Sequence, residues 1–196
     1  MTYIIVGLGN PGKEYENTRH NTGRIVLDTF LAIAKFSPLE ASEKLKALTS
    51  EGKIKKEKVI IVEPETFMNK SGLSVLPLVK STKQAGNLIV IYDDIDLPLG
   101  KFKISFNRGS GGHKGIESIV RSIKTKEFIR VRVGVSPSTP KGKTKKPKGE
   151  DKVVDFILGE FKPDELKEIK KISKKIALAV EMIVLDGRAK AMGEFN

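Results

Sequence analysis

His20 and Asp93 are the residues of this sequence whose types and settings best suit acid–base chemistry. His20 is one of only two histidines in 196 residues, and it lies in the polar segment YENTRHNTG at 15–23. Asp93 lies in the run YDDID at 92–96, directly after apolar residues typical of a buried strand. A histidine oriented by a carboxylate is the usual base for removing a proton from water or a hydroxyl group. The two segments therefore predict a histidine–aspartate pair that acts on water.

The same residues allow other interpretations. A histidine can be a satisfied structural residue, and Asp93, Asp94 and Asp96 could simply form a turn. Paired carboxylates can also bind Mg²⁺, although the sequence has no Walker-type loop to hold phosphates. It has no G-x-S-x-G elbow either, so water rather than a serine is the expected attacking group.

The pattern of apolar segments predicts how these residues are positioned. Strands are expected at 3–8, 58–64, 87–94, 101–106 and 128–135, and helices at 22–36, 113–124 and 161–187. Strands interleaved with helices indicate an α/β fold, here a single three-layer domain over 1–196 with a twisted mixed β-sheet flanked by helices. Ligands of open α/β sheets bind beyond the carboxyl ends of the strands. We expect His20 and Asp93 to meet there.

The segment GLGNPG at 7–12 fits the dinucleotide-binding pattern G-x-G-x-x-G. That mechanism needs a helix that begins at the loop and an acid at the end of the next strand. The following residues are polar, Pro11 interrupts the loop, and Asp28 falls inside a predicted helix. A tight turn that displays Asn10 is therefore favoured over a cofactor site, and no cofactor is expected. A nicotinamide-dependent oxidoreductase remains an alternative.

Two further segments have a functional and a structural interpretation. PETFMNKSG at 64–72 places Phe67, Met68 and Asn69 after a strand. Phe67 and Met68 could belong to the core and Asn69 to a turn, or these residues could contact a ligand. GSGGHKG at 109–115 enters a helix, a geometry that exposes backbone N–H groups to an anion. Its glycines could equally serve a turn with positive φ.

The charge of the chain points to a polyanionic partner. Its net charge is +12, and PKGKTKKPKG at 140–149 carries five lysines and no acid. We expect a mobile basic loop at about 137–152 and a partner such as RNA, with a lysine-rich solvated surface, or a non-catalytic RNA-binding module, as the alternatives. The absence of cysteine excludes disulfides and thiolate sites. With no evident signal peptide, and with the longest apolar run interrupted by Glu181, we expect a cytoplasmic protein without a membrane span.

Four motifs in order resemble the bacterial-type peptidyl-tRNA hydrolases. They are NPG-x-x-Y-x-x-TRHN-x-G from Asn10, P-x-TFMN-x-SG from Pro64, DD-x-DLPLG from Asp93 and GSGGH from Gly109. The resemblance runs from Tyr3 into the C-terminal helix. It implies a monomeric enzyme that needs no metal or cofactor and that cleaves the ester joining a peptide, or an N-blocked aminoacyl group, to the terminal ribose of tRNA. Such a reaction recycles tRNA from aborted translation.

The resemblance also assigns roles to residues. His20 is the expected general base, Asp93 orients its imidazole, and Asn10 distinguishes blocked from free aminoacyl groups. Tyr15, Phe67 and Asn69 are the expected contacts to the acceptor end of the tRNA or to the peptide.

Two expectations concern basic residues. Lys101 and Lys103 share one face of a predicted strand, as do Arg130 and Arg132, so these four are candidates for tRNA phosphate contacts. Lys114 is a departure from the family pattern, which usually has a substrate-contacting asparagine after the histidine of GGH. That role is not transferred to Lys114.

Overall fold

The computed structural model describes residues 1–139 and 144–196. Seven strands form one mixed sheet: β1 Thr2–Gly7, β2 Glu40–Ser42, β3 Ala47–Ile54, β4 Glu57–Pro64, β5 Leu88–Pro98, β6 Phe102–Phe106 and β7 Ile129–Ser136. Their order across the sheet is β2-β3-β4-β1-β5-β7-β6. The four central strands β4, β1, β5 and β7 are parallel, and the outer strands pair antiparallel. The expected mixed sheet of an α/β fold is thereby confirmed.

The described residues contain seven α-helices: α1 Thr22–Ala34, α2 Gly72–Val75, α3 Thr82–Ala85, α4 Lys114–Ile123, α5 Glu150–Leu158, α6 Pro163–Asp186 and α7 Arg188–Phe195. Three 3₁₀ turns lie at Lys13–Tyr15, Arg19–Asn21 and Met68–Lys70. None of the helices in this part of the chain combines the length and the apolar character that crossing a bilayer requires.

Side chains of the central strands pack against helices on both faces of the sheet. Successive residues of a strand point to opposite faces, and β1 shows the result directly. Tyr3 and Ile5 belong to a buried cluster that includes residues of α1 and α6. Ile4 and Val6 belong to a second cluster that includes residues of α4. The sheet is therefore the middle of three layers.

Two glycines allow α1 to cross β1 closely. A Cβ atom on Gly23 would lie 2.3 Å from the Ile91 carbonyl oxygen and 2.4 Å from the Leu8 amide nitrogen, and one on Gly7 would lie 2.7 Å from the Gly23 carbonyl oxygen. No side chain fits at those distances. Gly7 of the GLGNPG motif is therefore required for packing. The chain after the motif forms a 3₁₀ turn, and not the helix that a dinucleotide site needs.

Some elements were not predicted. In β3, the buried positions Ala47, Ser50 and Ile54 do not alternate with exposed ones, so the strand lacks a period of two. Helix α5 was also missed, although Val153, Phe156 and Ile157 follow the i, i+3, i+4 spacing of a helix; it is only nine residues long and none of its residues is buried.

The predicted basic loop at about 137–152 needs one correction. Helix α5 begins at Glu150, so the last three residues of the predicted loop are helical. Glu150 and Asp151 are acids in the first turn of a helix, where negative charge is favourable. Residues 140–143 lie outside the described part of the chain. On either side of them, Ser138 and Thr144 form an isolated antiparallel bridge.

Candidate active site

The structure brings His20 and Asp93 into direct contact. Asp93 lies in β5 and is only 3 % exposed, whereas His20 lies in the 3₁₀ turn that leads from the β1 loop into α1. The Nδ1 atom of His20 is 2.9 Å from Oδ1 and 3.0 Å from Oδ2 of Asp93. The sheet topology explains the meeting, because β1 and β5 are adjacent parallel strands and the two residues lie toward the same end of the sheet.

The contact with Asp93 determines which nitrogen of His20 can act as a base. A carboxylate accepts hydrogen bonds, so Nδ1 carries the proton and donates it toward Asp93. In neutral imidazole the other nitrogen, Nε2, then has a free lone pair. No group in the described part of the chain hydrogen-bonds this nitrogen, and His20 lines a cavity of about 320 Å³.

The second histidine contacts the same carboxylate, which the sequence analysis did not predict. Nε2 of His113 lies 3.0 Å from Oδ1 of Asp93. Its Nδ1 accepts the backbone N–H groups of Gly115 and Ile116 at 3.2 and 3.4 Å and so caps the N-terminus of α4. Nε2 is therefore the protonated nitrogen and donates to Asp93. One indication of this contact was present in the sequence: His20 and His113, the two histidines of the chain, each follow a glycine-containing motif, GLGNPG at 7–12 and GSGG at 109–112.

The two imidazoles keep Asp93 ionised. Burial alone would raise the pKa of this carboxyl group, because a charged group is poorly solvated in the interior. The electrostatic attraction and hydrogen bonds of His20 and His113 outweigh burial and hold the Asp93 pKa well below its usual range. At neutral pH the imidazoles of His20 and His113 therefore both contact an anionic Asp93.

Asn10 is held in place by backbone contacts on two sides. Its side-chain Oδ1 accepts the Met68 amide N–H at 2.8 Å. Its own backbone N–H donates to Asn21 Oδ1 at 2.8 Å, and Asn21 Nδ2 donates to the Asn10 carbonyl at 3.0 Å. Asn10 is only 7 % exposed. Its Nδ2 has no hydrogen-bond partner among the described residues, so a donor remains available for a ligand.

The other residues expected to contact substrate lie near Asn10 rather than in the cavity lining. The rings of Tyr15 and Phe67 pack edge to face with centroids 6.4 Å apart, and Phe67 is 57 % exposed. Asn69 is exposed in the 3₁₀ turn that follows Phe67. Since Met68 bonds to Asn10, the turn carrying Asn69 borders the Asn10 loop.

The cavity beside His20 lies between strand ends, the glycine-rich loop and α5. Its lining includes the following residues: His20, Tyr92, Asp93, Arg108, Gly109, Gly112, His113, Lys114, Arg132, Glu150, Val153, Val154 and Ile157. Arg130, under this lining, donates to the Gly109 carbonyl at 2.7 Å and stacks on Phe128. The buried Arg130 side chain thus fixes the glycine-rich loop at Gly109.

The expectation that Arg130 and Arg132 contact tRNA phosphates is wrong. Arg130 is fully buried and Arg132 is 6 % exposed, because β7 is an interior strand and all of its residues, on both faces of the sheet, are buried. Arg132 Nε instead bonds Asp94 Oδ2 at 2.7 Å. Lys101 and Lys103 are both exposed and stay candidates.

The carboxylates that follow Asp93 are paired with cations. Asp94 bonds Arg132, and Asp96 forms an ion pair with Lys146. Among the described residues, the one group with potential metal ligands in close reach is His20, Asp93 and His113, whose ligand atoms all lie within 4.8 Å of one another. Nδ1 of His20 and Nε2 of His113 each already donate a hydrogen bond to Asp93.

Comparisons with known proteins agree with this geometry. The family model described as peptidyl-tRNA hydrolase matches residues 4–196. Peptidyl-tRNA hydrolases from Alkaliphilus oremlandii and Caldanaerobacter subterraneus are 41 % and 43 % identical over 196 residues, with 99 % of each chain covered. The crystal structure of peptidyl-tRNA hydrolase from Acinetobacter baumannii superposes with a TM-score of 0.87 at 28 % identity, covering 100 % of this chain and 94 % of that one. This chain therefore belongs to the peptidyl-tRNA hydrolase family of enzymes.

Proposed function

We propose that this enzyme hydrolyses the ester between a peptide, or an N-blocked aminoacyl group, and the 3′-terminal ribose of tRNA, with water activated by His20 and Asp93. One observation carries the proposal: His20 Nδ1 is hydrogen-bonded to a buried carboxylate, while its Nε2 has no hydrogen-bond partner among the described residues and lies beside an open cavity. An imidazole held in this way can take a proton from water near neutral pH. Family membership supplies the substrate class.

The reaction follows from the position of His20. Its Nε2 removes a proton from water as the water oxygen bonds to the ester carbonyl carbon. The resulting tetrahedral intermediate collapses when the bond from that carbon to the ribose oxygen breaks. The imidazolium then returns its proton to the ribose oxygen, which releases tRNA with a free hydroxyl and the peptide as a carboxylic acid. Asp93 stabilises the transient imidazolium because it is anionic and in contact with Nδ1.

Asn10 has the groups that recognition of a blocked substrate needs. Its Nδ2 can donate to a substrate carbonyl, and Oδ1 keeps a second lone pair beyond the bond from Met68. A blocked substrate offers a neutral amide N–H to such an acceptor. A free aminoacyl group offers an ammonium, whose burial without a carboxylate partner is costly.

The exposed aromatic pair Tyr15 and Phe67, together with the exposed Asn69, suits a ligand that stacks and hydrogen-bonds. The chain charge of +12 and the exposed Lys101 and Lys103 suit phosphates. We assign these surfaces to the acceptor end of peptidyl-tRNA. Such a substrate arises in translation, so the enzyme recycles tRNA in the cytoplasm.

Incubation of the enzyme with N-acetyl-aminoacyl-tRNA in ¹⁸O-labelled water tests the proposal. We expect release of free tRNA and one ¹⁸O atom in the carboxyl group of the acetylated amino acid, because water attacks the carbonyl carbon. Free aminoacyl-tRNA is the matched control and should react much more slowly. Binding of tRNA without release would instead identify an RNA-binding module and contradict the proposal.

A further inference from the structure

Arg19, the residue before His20, joins the catalytic turn to the junction between α5 and α6. Its Nη1 lies 3.1 Å from the Gly159 carbonyl oxygen, 3.0 Å from that of Glu160 and 3.4 Å from that of Phe156. Its Nη2 donates to Glu165 Oε2 at 2.8 Å. The guanidinium thus reaches the C-terminal end of α5 and the N-terminal turn of α6 at once.

These contacts match the chemistry of a helix end. The last carbonyl groups of a helix lack partners within it and carry partial negative charge, so a cation there is favourable. The guanidinium also stacks on Phe156, 4.5 Å from the ring centroid. Arg19 is only 8 % exposed. A buried cation needs such a set of acceptors to offset its lost hydration.

The backbone reinforces the connection. The Arg19 N–H donates to the Gly159 carbonyl at 3.1 Å, and the Phe161 N–H donates to the Asn17 carbonyl at 2.9 Å. Thr18 and Glu160 form an antiparallel bridge between these two bonds. The segment before His20 and the segment after α5 are therefore paired.

Helix α5 has few other attachments to the fold, because among the described residues Phe156 is its one side chain that packs, partly buried, against the core. None of its residues is buried, and Val154 is 42 % exposed. Yet Val153, Val154 and Ile157 line the cavity that His20 borders. A wall of the cavity is thus a helix whose anchor lies at its C-terminal end.

We infer that Arg19 is a positioning residue that holds α5 as a wall of the cavity and thereby sets the affinity for the peptidyl end of the substrate. The inference rests on the proposed function for its substrate. Arg19 does not touch the reacting atoms. The base itself is held separately, by the bonds from His20 to Asp93. Loss of the anchor should therefore weaken substrate binding more than it slows the chemical step.

Arg19→Lys is the variant that tests this inference, since it keeps the positive charge and removes the planar fork that reaches several acceptors. Arg188→Lys is the matched control, because Arg188 also stacks on an aromatic ring, Phe106 at 3.6 Å, but lies in α7 outside the cavity lining. Amide hydrogen exchange of residues 154–158 is measured without substrate, and steady-state kinetics with N-acetyl-aminoacyl-tRNA.

For Arg19→Lys we expect exchange in α5 to accelerate roughly tenfold, as for the loss of a hydrogen bond to a charged group. KM should rise about three- to tenfold, with kcat within about threefold of the parent value. Arg188→Lys should leave amide exchange in α5, KM and kcat unchanged. Unchanged exchange in α5, equal acceleration in both variants, or a fall in kcat at constant KM would overturn the inference. If the parent protein released no tRNA, the proposed function would fail, while exchange would still decide whether Arg19 holds α5.

Discussion

The imidazole rings of His20 and His113 lie 4.8 Å apart between centroids, and both rings hydrogen-bond to the same oxygen of Asp93. The carboxylate therefore has two N–H donors. Within the described part of the chain, one of the two imidazoles, that of His20, keeps a nitrogen without a hydrogen-bond partner at the cavity. His113 uses its second nitrogen to cap α4. The two histidines are thus unequal: His20 has the nitrogen that can act as a base, and His113 secures the carboxylate that orients it.

Replacement of Asp93 by asparagine should lower kcat by roughly 10²–10⁴-fold. The amide is neutral, so it cannot stabilise the imidazolium, and its NH₂ group competes with the N–H of His20 for the space between them. Thermal unfolding of the variant serves as the control for folding, and single-turnover hydrolysis of N-acetyl-aminoacyl-tRNA is the measurement. A rate within a few-fold of the parent would show that the carboxylate is not needed.

His113→Ala should reduce kcat by about tenfold, less than changes at His20, because it removes one of two donors to Asp93 and leaves the base in place. His113→Gln should recover part of this loss, since a glutamine amide can donate to Oδ1 of Asp93 from a similar position. The comparison of kcat for the two variants is the measurement. Equal losses in both would mean that the ring itself, and not the hydrogen bond, is required.

The way these residues come together explains what the sequence could and could not predict. His20 and Asp93 were expected to meet because each lies at or beyond the carboxyl end of a predicted strand, and the structure confirms their proximity. The contact of His113 depends on how the glycine-rich loop folds back over β5, which no local pattern encodes. The burial of Arg130 was missed for a related reason. Alternation in β7 indicates which residues share a face, but not that both faces of an interior strand are covered.

Lys114→Asn should leave kcat within a few-fold and make KM less sensitive to salt. The Lys114 side chain is 60 % exposed at the rim of the cavity, and its only ion pair among the described residues is a 3.9 Å contact with Glu117. Its ammonium is free to approach a tRNA phosphate, and a lost phosphate contact flattens the dependence of binding on salt. KM measured between low and physiological salt checks this expectation. A large rise in kcat with the same salt slope would show instead that lysine impairs the site.

Glu63→Gln should flatten the dependence of stability on pH. Glu63 is 5 % exposed, and burial, reinforced by the nearby charge of Asp28, raises its pKa from 4.5 to about 8. Between these two values the folded protein keeps a proton that the unfolded chain has lost. The free energy of unfolding therefore falls as pH rises through this window, by at most about 1.4 kcal/mol per pH unit. The glutamine variant removes this slope.

Urea unfolding of the parent and Glu63→Gln at pH 5 and at pH 8.5 measures the effect. The matched control is Glu43→Gln, because Glu43 is exposed and is not among the charges that act on Glu63. The control should follow the parent. An identical loss of stability with pH in the parent and in Glu63→Gln would show that Glu63 titrates normally in the fold.

The most direct test of the central claim is single-turnover hydrolysis of N-acetyl-aminoacyl-tRNA by the parent and by His20→Asn, with enzyme in saturating excess. Asparagine can still donate to Asp93 from a position close to that of Nδ1, so the variant removes the base and keeps the neighbouring bond. The account predicts a rate lowered by roughly 10²–10⁴-fold with tRNA binding unchanged. A variant that cleaves the ester at the parental rate would contradict the assignment of His20 as the general base.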